Sequence, residues 1–454
     1  MSNGNEGPRF LIIGGGPAGN TAATIAASLG ARVTLVEEQI VGGAAHLWDC
    51  IPSKTMAATS IRMESIRHAA RLGLLAQPGI VDLSTLAERI KTISNDLRNK
   101  VISLLESQDV QIIEGRGRFT GPHSAVADTE SGAVPIEFDL ALISTGSAPR
   151  VPEWADIDGE RILTTRDAYD LSVLPEHLVV IGSGVTGVEF VHIFASLGSE
   201  VSLVVSRQQV LPMADPEVAA VLEEDFLERG VRLLIGARAT GASRKDDGVL
   251  VESDDGRRVE GSHVLLAIGS VPLSDGIGLE EAQVKADGGY VVVDAFQRTT
   301  APHIYAAGDI TGQVPLSSVA AMQGRKIARH ALGYQVTPID YSKVAQAVFT
   351  EPEIASVGLE EAEAASEGRK VRITKVPFAA NPRSVLQGQT RGFVKVISDP
   401  ATRVILGGTI VGHRASELIG ILALAVQGRL KVDTLVETLM VHPSLSESIS
   451  DAGE

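Results

Sequence analysis

A short apolar strand followed by a glycine-rich turn and a helix occurs twice in this chain, and this repeat restricts its fold more than any other feature. In the first copy the strand Arg9–Ile13 leads into the turn Gly14–Gly19, and in the second Leu178–Ile181 leads into Gly182–Gly187. Glycines allow a tight turn that brings backbone N–H groups close to a pyrophosphate, and the helix N-terminus adds the positive end of its dipole. Two copies in this context favour two Rossmann-like domains over the alternative, one larger sheet with two tight turns. The predicted contacts are Gly14, Gly16, Pro17, Ala18 and Gly19 in the first copy and Gly182, Gly184, Val185 and Gly187 in the second.

The two copies differ at the residue expected to meet the ribose. Glu37 lies 18 residues after Gly19 (37 − 19), where a carboxylate accepts hydrogen bonds from an adenosine ribose. The same offset from the end of the second turn reaches Val205 (205 − 187), and Ser206 and Arg207 follow it. An arginine at this place can pair with a 2′-phosphate. We therefore expect FAD in the first site and NADPH, with NADH tolerated, in the second; the alternative is that Arg207 is only a solvated surface charge.

Composition restricts the class of protein. At 454 residues the chain is too long for one simple core, and roughly two to four domains are expected. The net charge of −16 argues against binding to nucleic acid or to an anionic membrane. The longest apolar stretch, around Leu418–Val426, is shorter than the ~20 residues of a membrane-spanning helix, and the polar start Met1–Glu6 is unlike a secretory signal. A single cysteine suits a reducing compartment, so we expect a cytoplasmic protein with no membrane insertion and no metal site.

One segment between the two turns resembles a known redox motif. Residues 42–54 read GGAAHLWDCIPSK, whereas the motif of the flavin-dependent disulfide reductases (lipoamide dehydrogenase, glutathione reductase, mercuric reductase) reads GGxCxNxxCxPSK. Ala45 stands at the first cysteine position and Leu47 at the asparagine position. Cys50 is the only cysteine of the chain, so no disulfide can form within one subunit. The resemblance thus implies a flavoprotein that passes electrons to something other than a disulfide.

Further motifs extend the resemblance over essentially the whole chain. They are the crossover segments Ser144–Arg150 and Ala267–Pro272, the second flavin motif Thr299–Asp309, the start of the interface domain Phe349–Gly358, and Val441–Glu447 near the C-terminus. The resemblance implies an FAD-binding domain over 1–150, a nicotinamide domain over 151–271, the remainder of the FAD-binding or central domain over 272–340, and an α+β dimerisation domain over 341–454 of a homodimer. It adds Gly43, Lys54, Thr145, Gly146 and Asp309 to the predicted FAD site, and Ser206, Arg207 and Gly269 to the nicotinamide site.

The resemblance also suggests catalytic residues. Cys50 precedes Pro52, a residue suited to the first turn of a helix, and family members place this cysteine against the flavin. The alternative is that Cys50 is a retained small buried side chain. Lys54 matches the lysine whose ammonium lies beside the reactive flavin nitrogen, and Glu189 matches the glutamate that pairs with it. The alternative is two unrelated surface charges. Val185 stands where some relatives carry an aromatic gate over the flavin.

Two residues near the C-terminus match the family's acid–base pair. Glu447 would orient His442, which in relatives serves the cysteine that is missing here and completes the active site of the partner subunit. An oriented histidine could instead protonate another reduced acceptor, such as a quinone oxygen. The alternative is an inherited pair that serves the dimer interface. His46 and Trp48, in the altered redox loop, are expected to face the acceptor.

These features favour an FAD-dependent NAD(P)H:quinone oxidoreductase in which hydride passes from nicotinamide to flavin and then to a quinone. The first alternative is a soluble pyridine-nucleotide transhydrogenase, a class that also has a broken cysteine pair. The second is a disulfide reductase resembling dihydrolipoamide dehydrogenase, in which Cys50 works with an external thiol. The last alternative is a non-catalytic flavoprotein that serves as an interaction partner or redox sensor, and the near-intact nicotinamide site argues against it.

Overall fold

The computed structural model describes residues 7–77 and 79–454, and its mixture of parallel sheets and helices confirms the predicted α/β fold. The polar start, residues 1–6, lies outside the described residues. The chain divides into two units. The first contains the described residues up to Ser53 together with Ala87–Arg150 and Ser270–Ile339; the second contains Lys54–Leu86, Val151–Gly269 and Asp340–Glu454. Residues 54–86, predicted within the flavin domain, group with the second unit.

The first unit is organised around a five-stranded parallel sheet. Its strands, in spatial order, are Ile304–Ala306, Leu140–Ile143, Arg9–Ile13, Arg32–Glu37 and Gln111–Glu114. These strands are short runs of Val, Ile and Leu, as expected for a sheet that is covered on both faces. A three-stranded antiparallel sheet adds Arg116–Gly121, Ser124–Thr129 and Gly132–Glu137, and two short antiparallel pairs join Ser147–Pro149 to Ser270–Pro272 and Ala286–Asp287 to Tyr290–Val291.

Two helices with small side chains cover one face of this sheet. Helix Pro17–Ser28 packs its alanines, including Ala22 and Ala26, against Ile327 and Ala328 of helix Ser317–Ala331. Small side chains let the helix axes approach closely. Burial of these side chains and of the sheet residues removes apolar surface from water, and each Å² removed stabilises the fold by about 25 cal/mol. The remaining helical elements of this unit are the helix Ala44–Leu47 and the 3₁₀ turn Asp309–Thr311. Two further helices each contain a point where the chain passes between the units; they are Cys50–Arg67 and Leu83–Glu106.

The second unit contains another five-stranded parallel sheet. Its strands, in spatial order, are Arg232–Ile235, Glu200–Val205, His177–Ile181, His263–Leu266 and Ile162–Thr164. An antiparallel sheet of Ala239–Lys245, Gly248–Ser253 and Arg258–Gly261 lies beside it in sequence. The accompanying helices are Val185–Leu197 and Pro216–Glu228, with 3₁₀ turns at Ala69–Leu72 and Asp167–Tyr169.

The C-terminal part of the second unit is an antiparallel sheet with helices, as the predicted α+β class requires. Its strands, in spatial order, are Gln346–Val348, Glu353–Gly358, Ile405–Gly412, Phe393–Ser398 and Arg372–Pro377. Its helices are Glu361–Ser366, Pro382–Gln387, Ala415–Gln427, Val432–Val436 and Glu447–Asp451, with 3₁₀ turns Tyr341–Lys343 and Phe378–Ala380. The apolar stretch around Leu418–Val426 lies in a helix of 13 residues. Within the described part of the chain, no helix has both the length and the apolar character needed to cross a bilayer.

A buried lysine ties two parts of the second unit together. Lys395 is 0% exposed, and its ammonium lies 2.5 Å from Asp215 Oδ2, 2.5 Å from Glu217 Oε1 and 3.1 Å from Glu361 Oε2. The other oxygen of Asp215 accepts a hydrogen bond from the Ala362 N–H at 2.9 Å, in the first turn of helix Glu361–Ser366. Three carboxylates this close would repel one another, and the ammonium among them offsets that repulsion.

Candidate active site

The first glycine turn is fixed by the acidic side chain that ends the next strand. Glu37 Oε2 accepts a hydrogen bond from the Gly15 N–H at 2.6 Å, and Oε1 accepts one from the Gln39 N–H at 2.8 Å. Burial raises the pKa of Glu37 above its ordinary value, and these backbone donors offset part of the rise. Glu37 therefore holds the shape of the turn in addition to the ribose contact predicted for it.

The two glycine turns have the same close packing between their first and last glycines. A Cβ at Gly19 would lie 1.9 Å from the Gly14 carbonyl oxygen, and one at Gly187 would lie 1.8 Å from the Gly182 carbonyl oxygen. Both are distances that no side chain tolerates, so the helix can begin this close to the strand only with glycine. The sequence repeat is thus a repeat in geometry as well.

The space beside each turn fits a dinucleotide. Gly16 and Gly184, the residues before each helix, have open space where a Cβ would project, and neither helix start carries a side-chain cap. The first N–H groups of each helix therefore remain available to a phosphate. At the first turn, Gly43 packs so closely that its Cβ would lie 2.7 Å from the Gly16 Cα. A larger residue at position 43 would fill the cradle.

The second flavin motif ends at an aspartate held by a serine hydroxyl. Ser147 Oγ donates a hydrogen bond of 2.7 Å to Asp309 Oδ2, which leaves the other carboxylate oxygen to accept from a polyol chain. Thr145 Oγ1 donates to the Leu273 carbonyl oxygen at 2.8 Å, so this hydroxyl fixes the crossover segment. Gly146 has open space at its Cβ position and a φ of +75°. These predicted FAD residues lie in the first unit, where their strands and turns adjoin.

The second turn lacks an acid and is followed by exposed polar residues. Val205 ends its strand fully buried, whereas Ser206 and Arg207 are exposed. The Arg207 carbonyl accepts from the Gly236 N–H at 3.0 Å, which fixes the backbone at the end of the strand. No ion pair of the Arg207 guanidinium occurs among the described residues, so the charge is available to an anion. Val185, the first residue of the following helix, is 46% exposed, and Gly269 has open space at its Cβ position.

The altered redox loop folds back on itself. Ala45 is buried in the short helix Ala44–Leu47, where the family carries its first cysteine. The buried Nδ1 of His46 faces Gly42, whose Cβ would lie 2.0 Å from it, and has no hydrogen-bond partner among residues 7–77 and 79–454. Burial lowers the pKa of His46. The His46 carbonyl accepts from Ser94 Oγ at 2.8 Å. One ring nitrogen of His46 therefore points into the loop, and only the other could face an acceptor.

Cys50 has a hydroxyl as its neighbour. Its Sγ lies 3.1 Å from Ser317 Oγ, and each residue is the first of its helix, Cys50–Arg67 and Ser317–Ala331. Ser317 was not predicted, because it lies 267 residues away in sequence. A hydroxyl cannot form a disulfide, so Ser317 can hold the sulfur by a hydrogen bond but cannot replace the lost thiol.

Lys54 and Glu189 form the ion pair expected from the motifs. Lys54 Nζ lies 2.7 Å from Glu189 Oε2, and Glu189 is 5% exposed. The second carboxylate oxygen, Oε1, accepts from the Phe349 N–H at 2.9 Å, and the Phe349 ring lies 4.9 Å from Nζ. Each oxygen of this buried carboxylate is therefore satisfied, as burial of a charge requires. Phe349 was also missed by sequence reasoning, since its contacts depend on the tertiary fold.

His442 and Glu447 form a second oriented pair. His442 Nδ1 lies 2.7 Å from Glu447 Oε1, and Oε2 accepts from the Ser444 N–H at 2.7 Å. The Ser444 amide and then His442 hold the pKa of Glu447 below its ordinary value, so the carboxylate stays ionised. His442 is 71% exposed in the single chain, and its Nε2 side is open. The carboxylate thus fixes one ring nitrogen and leaves the other for a proton acceptor.

Two family profiles cover nearly all of the chain. The profile described as "Pyridine nucleotide-disulphide oxidoreductase" matches residues 8–324, and the one described as "Pyridine nucleotide-disulphide oxidoreductase, dimerisation domain" matches residues 344–452. Together they agree with the two glycine turns, the second flavin motif and the C-terminal antiparallel sheet.

Two relatives that align over nearly the whole chain carry different functional names. The chain is 45% identical to an "NAD(P)H dehydrogenase (quinone)" of Mycobacterium tuberculosis, an alignment that covers 98% of this chain and 93% of that protein. It is 34% identical to a "Dihydrolipoyl dehydrogenase" of Chlamydia muridarum, over 98% of this chain and 95% of that one. Among solved structures, that of LpdA from Mycobacterium tuberculosis superposes with a TM-score of 0.94 at 45% identity, covering 98% of this chain and 99% of LpdA.

Proposed function

Since this chain belongs to the pyridine nucleotide-disulphide oxidoreductase family, we propose that it is an FAD-dependent NAD(P)H:quinone oxidoreductase. Membership of this family implies FAD and a pyridine nucleotide as the cofactors. The dimerisation domain and the exposed His442 support a homodimer in which that histidine serves the partner subunit.

The observation that carries the proposal is the surroundings of the single cysteine. Ala45 fills the first cysteine position with a buried methyl group, and the group beside Cys50 Sγ is the hydroxyl of Ser317. Because no second thiol exists in the chain, electrons cannot pass through an intrachain disulfide. An acceptor that takes electrons directly from reduced flavin, such as a quinone, needs no dithiol.

The chain's own residues supply binding and electrostatics. FAD, when bound, would accept hydride from the nicotinamide and donate electrons onward. The first glycine turn would hold its pyrophosphate with backbone N–H groups, and Asp309 would accept a hydrogen bond from its ribityl chain. Lys54, fixed by Glu189, would place a positive charge where reduction creates a negative one. His442, oriented by Glu447, would deliver a proton to the reduced quinone oxygen.

We propose that NADPH is the preferred donor. The strand that would carry the ribose-binding acid ends in a buried valine, so the position of that acid holds no carboxylate to repel a 2′-phosphate. Arg207 is exposed two residues later and is free to pair with that phosphate, a charge-assisted contact worth about 1.5–3 kcal/mol. NADH lacks the phosphate and would bind more weakly.

The second candidate is a disulfide reductase, which the similarity to dihydrolipoyl dehydrogenase favours. Steady-state turnover of the FAD-loaded protein with NADPH separates the candidates when menadione, lipoamide and an oxidised nicotinamide analogue are compared as acceptors. We expect rapid menadione reduction with little turnover of lipoamide. Lipoamide turnover that is lost in Cys50→Ser would instead establish thiol chemistry, and dominant exchange with the analogue would establish a transhydrogenase.

A further inference from the structure

Phe349 contacts both members of the Lys54–Glu189 pair. Its N–H donates to Glu189 Oε1 at 2.9 Å, and its ring centroid lies 4.9 Å from Lys54 Nζ, while Glu189 Oε2 lies 2.7 Å from the same nitrogen. The three residues come from three separate elements: the start of a long helix, the helix after the second glycine turn, and the residue after strand Gln346–Val348. Phe349 lies within the part of the chain matched by the dimerisation domain.

We propose that Phe349 is a positioning residue for flavin reduction, and that it acts by holding the Lys54 ammonium in one place. This inference rests on the proposed function. The face of an aromatic ring carries negative charge and attracts a cation within about 6 Å of its centroid. The ammonium therefore has two contacts, the carboxylate at 2.7 Å and the ring face at 4.9 Å, and together they restrict its movement.

The exposures of Glu189 and Lys54 show why the ammonium needs a second contact. Glu189 is 5% exposed and its two oxygens have separate partners, so its position is well fixed. The side chain of Lys54 is 34% exposed and has four rotatable carbon–carbon bonds, so one ion pair does not fix its head group. Without the ring, the ammonium could pivot about the carboxylate into solvent. A pivot of this kind lowers the field that the lysine exerts on developing negative charge.

The test compares substitutions that keep the backbone contact. Phe349→Leu retains the N–H donated to Glu189 and most of the volume but removes the aromatic face, and Phe349→Tyr retains both. In stopped-flow reduction of the FAD-loaded protein by NADPH, we expect Phe349→Leu to slow bleaching of the flavin by about fivefold, with the apparent affinity for NADPH unchanged, and Phe349→Tyr to restore the rate.

The flavin midpoint potential gives a readout that does not depend on turnover. A fivefold weaker stabilisation of two-electron-reduced flavin corresponds to about 20 mV toward more negative potential. Phe349→Leu should show this shift and Phe349→Tyr should not. In the Lys54→Met background the shift caused by Phe349→Leu should disappear, because the ring would then have no cation to hold.

A matched control exists in the same unit. The centroid of the Phe393 ring lies 5.1 Å from Lys375 Nζ in a second cation–π contact, and neither residue has a predicted role in the reaction. Phe393→Leu should leave both the rate and the potential at wild-type values. The inference is overturned if Phe349→Leu keeps the wild-type rate and potential, or if its shift persists with Lys54→Met. The proposed function fails separately, if the wild-type protein is bleached by NADPH yet does not reduce menadione.

Discussion

Replacement of Lys395 by methionine tests how strongly the buried ion cluster holds the second unit together. Lys395 is fully buried, and its ammonium is the positive charge among Asp215, Glu217 and Glu361. Methionine fills a similar volume but removes the cation that the three carboxylates share, and only Glu217 keeps a second ammonium nearby, that of Lys375 at 2.7 Å. Removing one partner of a buried ion pair costs about 3–5 kcal/mol, because the other charge is left without its partner.

Because two of the three carboxylates are partly exposed, the expected loss in the free energy of unfolding lies at the lower end of that range. Asp215 is only 3% exposed and is truly stranded, although the Ala362 N–H still donates to it. Glu217 and Glu361 are 33% and 47% exposed and can turn toward water. We therefore expect a loss of about 3 kcal/mol, and about 5–10 °C in the thermal midpoint of this unit at pH 7.

The pH dependence of the loss follows from the directions of the pKa shifts. Burial alone would lower the pKa of Lys395, but the hydrogen bonds that it donates to Asp215 and Glu217 raise this pKa above its ordinary value. The contribution of Lys395 to the free energy of unfolding is therefore lost only as pH rises through the raised pKa. Burial alone would raise the pKa of Asp215, but Lys395 lowers it, so that contribution is lost as pH falls through the lowered pKa. The difference in the free energy of unfolding between the wild-type protein and Lys395→Met should be largest between about pH 4 and pH 10.

Differential scanning fluorimetry of both proteins measures the loss. Lys375→Met is the control, since Lys375 is 49% exposed and its ion pair is with the other oxygen of Glu217, Oε2; its loss of stability should be below about 1 kcal/mol. Adding Asp215→Asn to Lys395→Met should recover part of the stability, because the stranded charge is removed. A midpoint for Lys395→Met within about 1 °C of wild type would refute this account.

Three further predictions concern the proposed site. Arg207→Glu should lower the ratio of the catalytic efficiency with NADPH to that with NADH by about tenfold to a hundredfold, because a carboxylate repels a 2′-phosphate and accepts a hydrogen bond from a ribose hydroxyl. Steady-state kinetics with both donors measure this ratio, and an unchanged ratio counts against the assignment of NADPH. Cys50→Ser should keep the turnover of menadione within about threefold of the wild-type value. The long-wavelength absorbance of the flavin should change, because the flavin loses a neighbouring sulfur. A loss of turnover above about a hundredfold would instead show that the thiol is essential. His442→Gln should leave flavin bleaching by NADPH unchanged but slow reoxidation by menadione about tenfold to a hundredfold, and equal slowing of both steps would contradict a role as proton donor.

The elements of the fold could be predicted because each depends on local sequence. Each glycine-rich segment joins a strand to a helix as its spacing predicts, with Gly14–Gly16 and Gly182–Gly184 between the two elements and the other residues in the first turn of the helix. Such features need only short-range periodicity and turn chemistry.

Contacts between residues far apart in sequence could not be predicted without a motif to relate them. Lys54 and Glu189 are 135 residues apart and were paired only because both match family motifs. Ser317 and Phe349 belong to no motif that names their partners, and they emerge as neighbours of Cys50 and Glu189 only in the folded chain. The inward orientation of His46 Nδ1 likewise depends on how the loop closes over Gly42, which the sequence leaves open.

The strands Ser147–Pro149 and Ser270–Pro272 bring together two of the points where the chain passes between the units, before residue 151 and after residue 269. They are hydrogen-bonded neighbours, and the Arg150 guanidinium donates to the Ser270 carbonyl oxygen at 3.3 Å. The intervening 151–269 therefore begins and ends at almost one point, like an insertion in a hairpin loop. A segment tethered in this way places little constraint on the backbone of the first unit at this place, because its two ends form a closed turn. A segment exchanged here between relatives would leave that turn closed, but it would also replace Glu189, the partner of Lys54, and Asp215, the partner of Lys395.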